Sequence, residues 1–181
     1  MPVFAALLRA VNVGGNNLIR MPLLTELCEK LGHTGVRTLL QSGNVVFRSK
    51  SAARAQLAKR LQDAIEKRCG FRPEIFLRSP GDLREALDAN PFPDAARDDP
   101  AHLLILFIDR APPVGVDATL SGFKGGPERV RLAGRNLYLH YPAGAGTSKL
   151  TNAVVEKAVG TPGTARNWNT LNKLAALCDT I

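Results

Sequence analysis

Val36-Arg37-Thr38-Leu39-Leu40-Gln41-Ser42-Gly43-Asn44-Val45-Val46-Phe47 reads as two apolar strands joined by a tight turn, with Ser42 and Gly43 at its tip. Upstream, Val3-Phe4-Ala5-Ala6-Leu7-Leu8 is continuously apolar and ends at Arg9, the pattern of a strand buried on both faces. The polar loop Asn12 to Asn17 and a helix-spaced run from Pro22 to Leu31, stopped by Gly32, lie between these strands. Downstream, Ala52 to Cys69 carries Leu57, Leu61 and Ile65 on one face and ends at Gly70, and Glu74 to Arg78 alternates as a strand does. The order β-α-β-β-α-β is that of a ferredoxin-like unit.

The pattern then recurs. A short helix, Asp82 to Ala89, and a Pro-rich acidic linker, Asn90 to Pro100, lead to a strand at Leu103 to Ile108 and a weak helix at Val116 to Leu120. Glu128 to Leu132 and Leu137 to Tyr141 pair across Gly134-Arg135, and a helix runs from Ser148 to Val159. A final helix, Asn167 to Cys178, takes the place of a last strand, with Asn167 as its N-cap. The expected fold class is α+β: duplicated ferredoxin-like (βαββα) halves packed into one body, with an extra C-terminal helix. The first half spans residues 1–80, the helix and linker 81–101, and the second half 102–181. Helices cover one face of each sheet, so the apolar central strands need cover on the other, and the halves are expected to unfold together.

Composition narrows the class. The 181 residues are 45% hydrophobic and 22% charged, which suits a globular chain. A net charge of +8 favours anionic partners. Three scattered cysteines, Cys28, Cys69 and Cys178, form no disulfide or zinc pattern, and no metal or cofactor is implied. The short N-terminal apolar run fits neither a signal peptide nor a membrane span, and a cytoplasmic location is expected.

Several polar segments are candidates for chemistry. Asn12, Gly14, Gly15 and Asn17 lie between a strand and a helix, where backbone N–H groups can hold an anion. In this topology the first and second strands are parallel, so the turn of Gln41, Ser42 and Asn44 emerges at the same sheet edge as Arg9, roughly 10 Å away. These residues are expected to form one anion-receptive site, with Arg9 supplying the charge. The structural alternative is that Arg9 ties the two loops together through their carbonyls while the asparagines cap turns. The loop Ala143 to Lys149 offers glycines, a hydroxyl and Lys149, without the order of a phosphate-binding P-loop. Arg166, Trp168 and Lys173 flank the final helix, where the indole either anchors packing or stacks on a base or sugar. The histidines His33, His102 and His140 stand far apart and pair with no nucleophile.

Five segments in order carry a family resemblance: Leu7 to Gly15, Gln41 to Phe47, Asn90-Pro91-Phe92, Ser148 to Asn152 and Arg166 to Thr170. Together they resemble the bacterial family of domain of unknown function 1697. The resemblance implies a whole-chain α+β fold with ferredoxin-like parts and names no catalytic residue; the family's glycine is replaced here by Ala10. Three functions are compatible with the sequence. The leading one is a binder of a nucleotide, another phosphate-bearing ligand or a nucleic acid fragment. The others are an enzyme acting on a phosphorylated or anionic small molecule, with Arg9 and Lys149 stabilising charge, and a structural or interaction protein.

Overall fold

A computed structural model describes residues 1–181 and divides them into two compact units, Met1–Leu83 with Lys173–Ile181, and Arg84–Asn172. In the first, β1 (Val3–Leu8), α1 (Met21–Lys30), β2 (Thr34–Leu39), β3 (Asn44–Arg48), α2 (Arg54–Cys69), β4 (Ile75–Arg78) and the first turn of α3 (Pro80–Asp88) follow one another. The sheet order is β2-β3-β1-β4, antiparallel throughout, so β1 and β2 run parallel with β3 between them. Gly70, with φ 78°, ends α2 as the sequence indicates.

The second unit repeats this order. After α4 (Pro93–Asp98) come β5 (Leu103–Ile108), α5 (Val116–Leu120), β6 (Arg129–Ala133), β7 (Asn136–His140), α6 (Asn152–Val159) and β8 (Gly163–Asn167). The sheet order is β6-β7-β5-β8. The last helix, α7 (Trp168–Asp179), is capped by Asn167, whose Oδ1 accepts from the Thr170 amide at 2.9 Å. The molecule is therefore α+β, with two four-stranded antiparallel sheets and seven α-helices. No helix is long and apolar enough to cross a membrane.

Two segments differ from the sequence reading. The linker contains helix α4, because Pro93 in its first turn presets φ and Ala95 is buried. The strand thought missing from the second half is β8. Gly163, which opens it after Thr161-Pro162, is there for space: a β-carbon would lie 2.8 to 3.0 Å from Leu106 and Ile108 side-chain atoms. In addition, α6 starts at Asn152 instead of Ser148, with Thr151 as the capping residue.

Each unit packs its helices on one sheet face. Phe4, Ala6, Leu8, Val45 and Phe47 meet Leu24, Leu57, Leu61 and Ile65 in the first, and Leu106, Ile108, Leu137 and Leu139 meet Leu120, Val155 and Val159 in the second. The alternate residues are buried too: Ala5, Leu7 and Val46 in the first sheet, Ile105, Phe107 and Tyr138 in the second. That accounts for the unbroken apolar runs of β1 and β5, which a sheet with one wet face would not carry.

His33 belongs to the first core. Its ring stacks on Phe47 at 4.3 Å between centroids and 15° between planes, and it is only 5% exposed. Burial, and then the charge of Arg60, hold its pKa below the ordinary 6.5. Because the folded value lies below the unfolded one, the unfolded chain binds the extra proton as pH falls, and stability is lost below about pH 6.5. Urea denaturation between pH 7.5 and 5 is expected to show that loss for the native chain and a smaller one for His33→Phe.

Candidate functional site

The β1–α1 loop and the β2–β3 turn leave the same edge of the first sheet, as the parallel course of β1 and β2 requires. Their shape is set by residues in the left-handed region: Ala10 (φ 53°), Asn12 (φ 55°), Asn17 (φ 50°), Leu40 (φ 59°) and Gly43 (φ 73°). Asparagine tolerates that region because its amide can bond locally. Asn12 does so in full: its Nδ2 donates to the carbonyls of Ile19 (2.9 Å) and Gln41 (2.6 Å), and its Oδ1 accepts from the Ile19 amide (2.8 Å). One side chain thus joins both ends of the loop to the turn.

The other candidates here are also engaged in bracing. Asn17 donates to the Ala10 carbonyl at 3.1 Å, and the buried Asn44 donates to the Leu39 carbonyl and to Ser42 Oγ, each at 2.9 Å. Arg9 pairs with Glu74 at 3.0 Å and does not line the cleft described below. Gly14 and Gly15 are exposed at the loop tip. Arg9 thus bonds the carboxylate ahead of β4, and the asparagine side chains bond carbonyls and a hydroxyl of the loop and turn.

Beside this bracing lies a cleft of about 740 Å³, walled by Asn12, Leu18, Ile19, Arg20, Pro22, Leu23, Glu26, Gln41, Arg68 and Cys69. It forms where α1 begins and α2 ends, at the same sheet edge. Arg20 and Arg68 make no salt bridge or hydrogen bond, and the Gln41 amide is equally unengaged. No side chain caps the first turn of α1. The single carboxylate of the wall, Glu26, is hydrogen-bonded to Lys30, and that ammonium, with Arg68 adding to it, keeps the carboxyl below the usual range. The wall therefore offers two guanidinium groups and an amide beside the apolar surface of Leu18, Ile19, Pro22 and Leu23.

Arg20 and Arg68 were not among the residues singled out from the sequence. Topology held the signal: in a β-α-β-β-α-β unit the start of the first helix and the end of the second lie at one edge, together with the β2–β3 turn.

In the second unit, Lys149 lines a smaller cavity of about 170 Å³ with Lys124, Gly126, Glu128, Gly144 and Ser148. Arg166 is buried on β8, where it donates to Thr164 Oγ1 and the Ala165 carbonyl, each at 2.8 Å, and burial lowers its pKa to about 10. It remains a cation at neutral pH. Trp168 is half-buried, and Lys173 is exposed on α7. Cys28 is sealed in the first core, which pushes its thiol up to about 12, and all three cysteines are free.

No curated protein matches the chain. Among solved structures, a conserved bacterial protein, SP0830 from Streptococcus pneumoniae, shares the fold with a TM-score of 0.68 and 22% identity over 98% of each chain. The family described as "Protein of unknown function (DUF1697)" matches residues 1–138, a stretch that holds the whole wall of the larger cleft. With three quarters of its residues inside that match, the chain belongs to the DUF1697 family.

Proposed function

We propose that the first unit binds a small anionic ligand of nucleotide size in the cleft between the start of α1 and the end of α2. The observation that carries this reading is the pair of guanidinium groups, Arg20 and Arg68, that make no hydrogen bond or salt bridge while lining one cleft. A volume of about 740 Å³ falls within the usual range for small-molecule sites. A nucleotide combines a phosphate, which guanidinium groups bind in a fork, with a flat apolar base suited to Leu18 and Leu23. The net charge of +8 adds long-range attraction for the same ligand. Free thiols suit the reducing cytoplasm, where such ligands are abundant.

Calorimetric titration with a nucleoside monophosphate at low salt tests the proposal. Binding is expected to weaken as salt rises, and Arg20→Ala and Arg68→Ala are each expected to weaken it about tenfold, or about 1.5 kcal/mol, with the melting temperature unchanged. Equal affinity in the native chain and the double variant would sink the idea.

A further inference from the structure

A chain of hydrogen bonds in the second unit plays no part in the cleft. Asp94 accepts from Arg129 Nη2 at 2.8 Å, and the same nitrogen lies 3.0 Å from His140 Nδ1. A guanidinium only donates, so Nδ1 carries the lone pair and the His140 proton sits on Nε2, 2.9 Å from Asp99 Oδ2. The other oxygen of Asp99 is 2.7 Å from Nδ1 of His102. A carboxylate only accepts, so Nδ1 of His102 carries a proton, and in the neutral form of the ring Nε2 presents a lone pair. That Nε2 makes no hydrogen bond, and the side chain is 45% exposed. Hydrogen bonds from His140 first, and then from His102, keep the Asp99 carboxyl below its usual range.

His102 Nε2 faces the glycine loop. It stands 3.9 Å from where a β-carbon on Gly144 would lie, and Gly144 itself has φ 84° and ψ 144°, a conformation other residues avoid. Gly144 is also a wall of the cavity of about 170 Å³ that Lys124 and Lys149 line. Neither lysine forms a salt bridge; Lys124 lies over Phe123 at 5.5 Å. The remaining charge of the wall, Glu128, accepts a hydrogen bond from Ser148 Oγ.

We infer that His102, Lys124 and Lys149 form an acid–base site for a phosphate group, distinct from the cleft of the first unit. The lysines offset the phosphate charge, and His102 Nε2 takes the proton of its P–OH, leaving a dianion hydrogen-bonded to an imidazolium; no other bond forms or breaks. Asp99 is a positioning residue that sets the tautomer, and the chain through His140 and Arg129 holds Asp99.

Nitrogen-15 NMR of the full chain, read at individual residues so that shifts at Arg20 and Arg68 are kept separate, tests this. Without phosphate, the His102 ring is expected to show the Nδ1–H tautomer, and Asp99→Ala is expected to lose that preference. Inorganic phosphate is expected to shift the His102 ring and the Gly144 amide saturably, with about tenfold weaker binding in Lys149→Ala. Glycerol phosphate is the second arm: the same shifts mark a monoester site, and shifts from inorganic phosphate alone mark a site for the free ion; either result carries the inference. No shift at His102 with either ligand, or equal affinity in Lys149→Ala, overturns it.

Discussion

Gly43→Ala is expected to destabilise the protein by about 4 kcal/mol, the sum of a left-handed backbone penalty and a steric overlap of a few kcal/mol each. The added β-carbon would lie 2.2 Å from Val11 Cγ2 and 2.9 Å from Leu8 Cβ, and φ at this position is 73°. The obstructing atoms belong to buried side chains anchored on and just after β1. The turn has no free direction of retreat, because the Gly43 carbonyl accepts from the Leu8 amide at 2.9 Å. Urea denaturation of the soluble fraction measures the loss. A change below about 1 kcal/mol would mean that the turn relaxes and the close approach is dispensable.

Asn12→Ala is expected to cost about 3 kcal/mol, from three hydrogen bonds at about 1 kcal/mol each, with a left-handed alanine adding to it. The loop loses its attachment to Ile19 and to the Gln41 carbonyl together. Since Arg20 follows directly on Ile19, and Gln41 lines the same cleft, ligand affinity is expected to fall along with stability. Arg9→Ala removes a half-exposed ion pair with Glu74 and is expected to change stability by less than about 1 kcal/mol. Thermal melts of the two variants side by side check both statements. An Asn12→Ala chain as stable as the native one would show that the loop holds its shape without this side chain.

The doubled fold was legible because its signals are local. Apolar runs marked the strands, helical spacing marked α1 and α2, and Ser42-Gly43 marked the turn. β8 escaped because Pro162 and Gly163 at its start are turn-forming types, and the packing of Gly163 against Leu106 and Ile108 is visible only in the fold. Loop composition pointed to the sheet edge where the cleft lies without pointing to Arg20 or Arg68 of its wall. Asparagines attract attention as ligand-binding types, yet here the side chains of Asn12, Asn17 and Asn44 bond the loop and the turn themselves. The unengaged cations sit at helix ends, where a sequence shows only an arginine among others.

The histidines show the same limit. His102 and His140 are 38 positions apart by number, and nothing local joins them. Strand register does: Leu103 of β5 lies opposite His140 of β7, so the residue before Leu103 arrives beside that ring. The two units share one strand order. The cleft of the first unit lies at the edge where β1 ends, whereas His102 stands at the edge where β5 begins.

Residues Lys173–Ile181 group with Met1–Leu83, and the Ile181 side chain comes within 3.5 Å of where a β-carbon on Gly35 would lie, beside β2. A ribosome makes that closing segment only after all of Arg84–Asn172, a wait of about 5–20 s at ordinary elongation rates. During that interval all four strands of the first sheet exist, and the segment that lies beside Gly35 does not. Unlike a unit encoded in one stretch, the first unit is translated first and completed last.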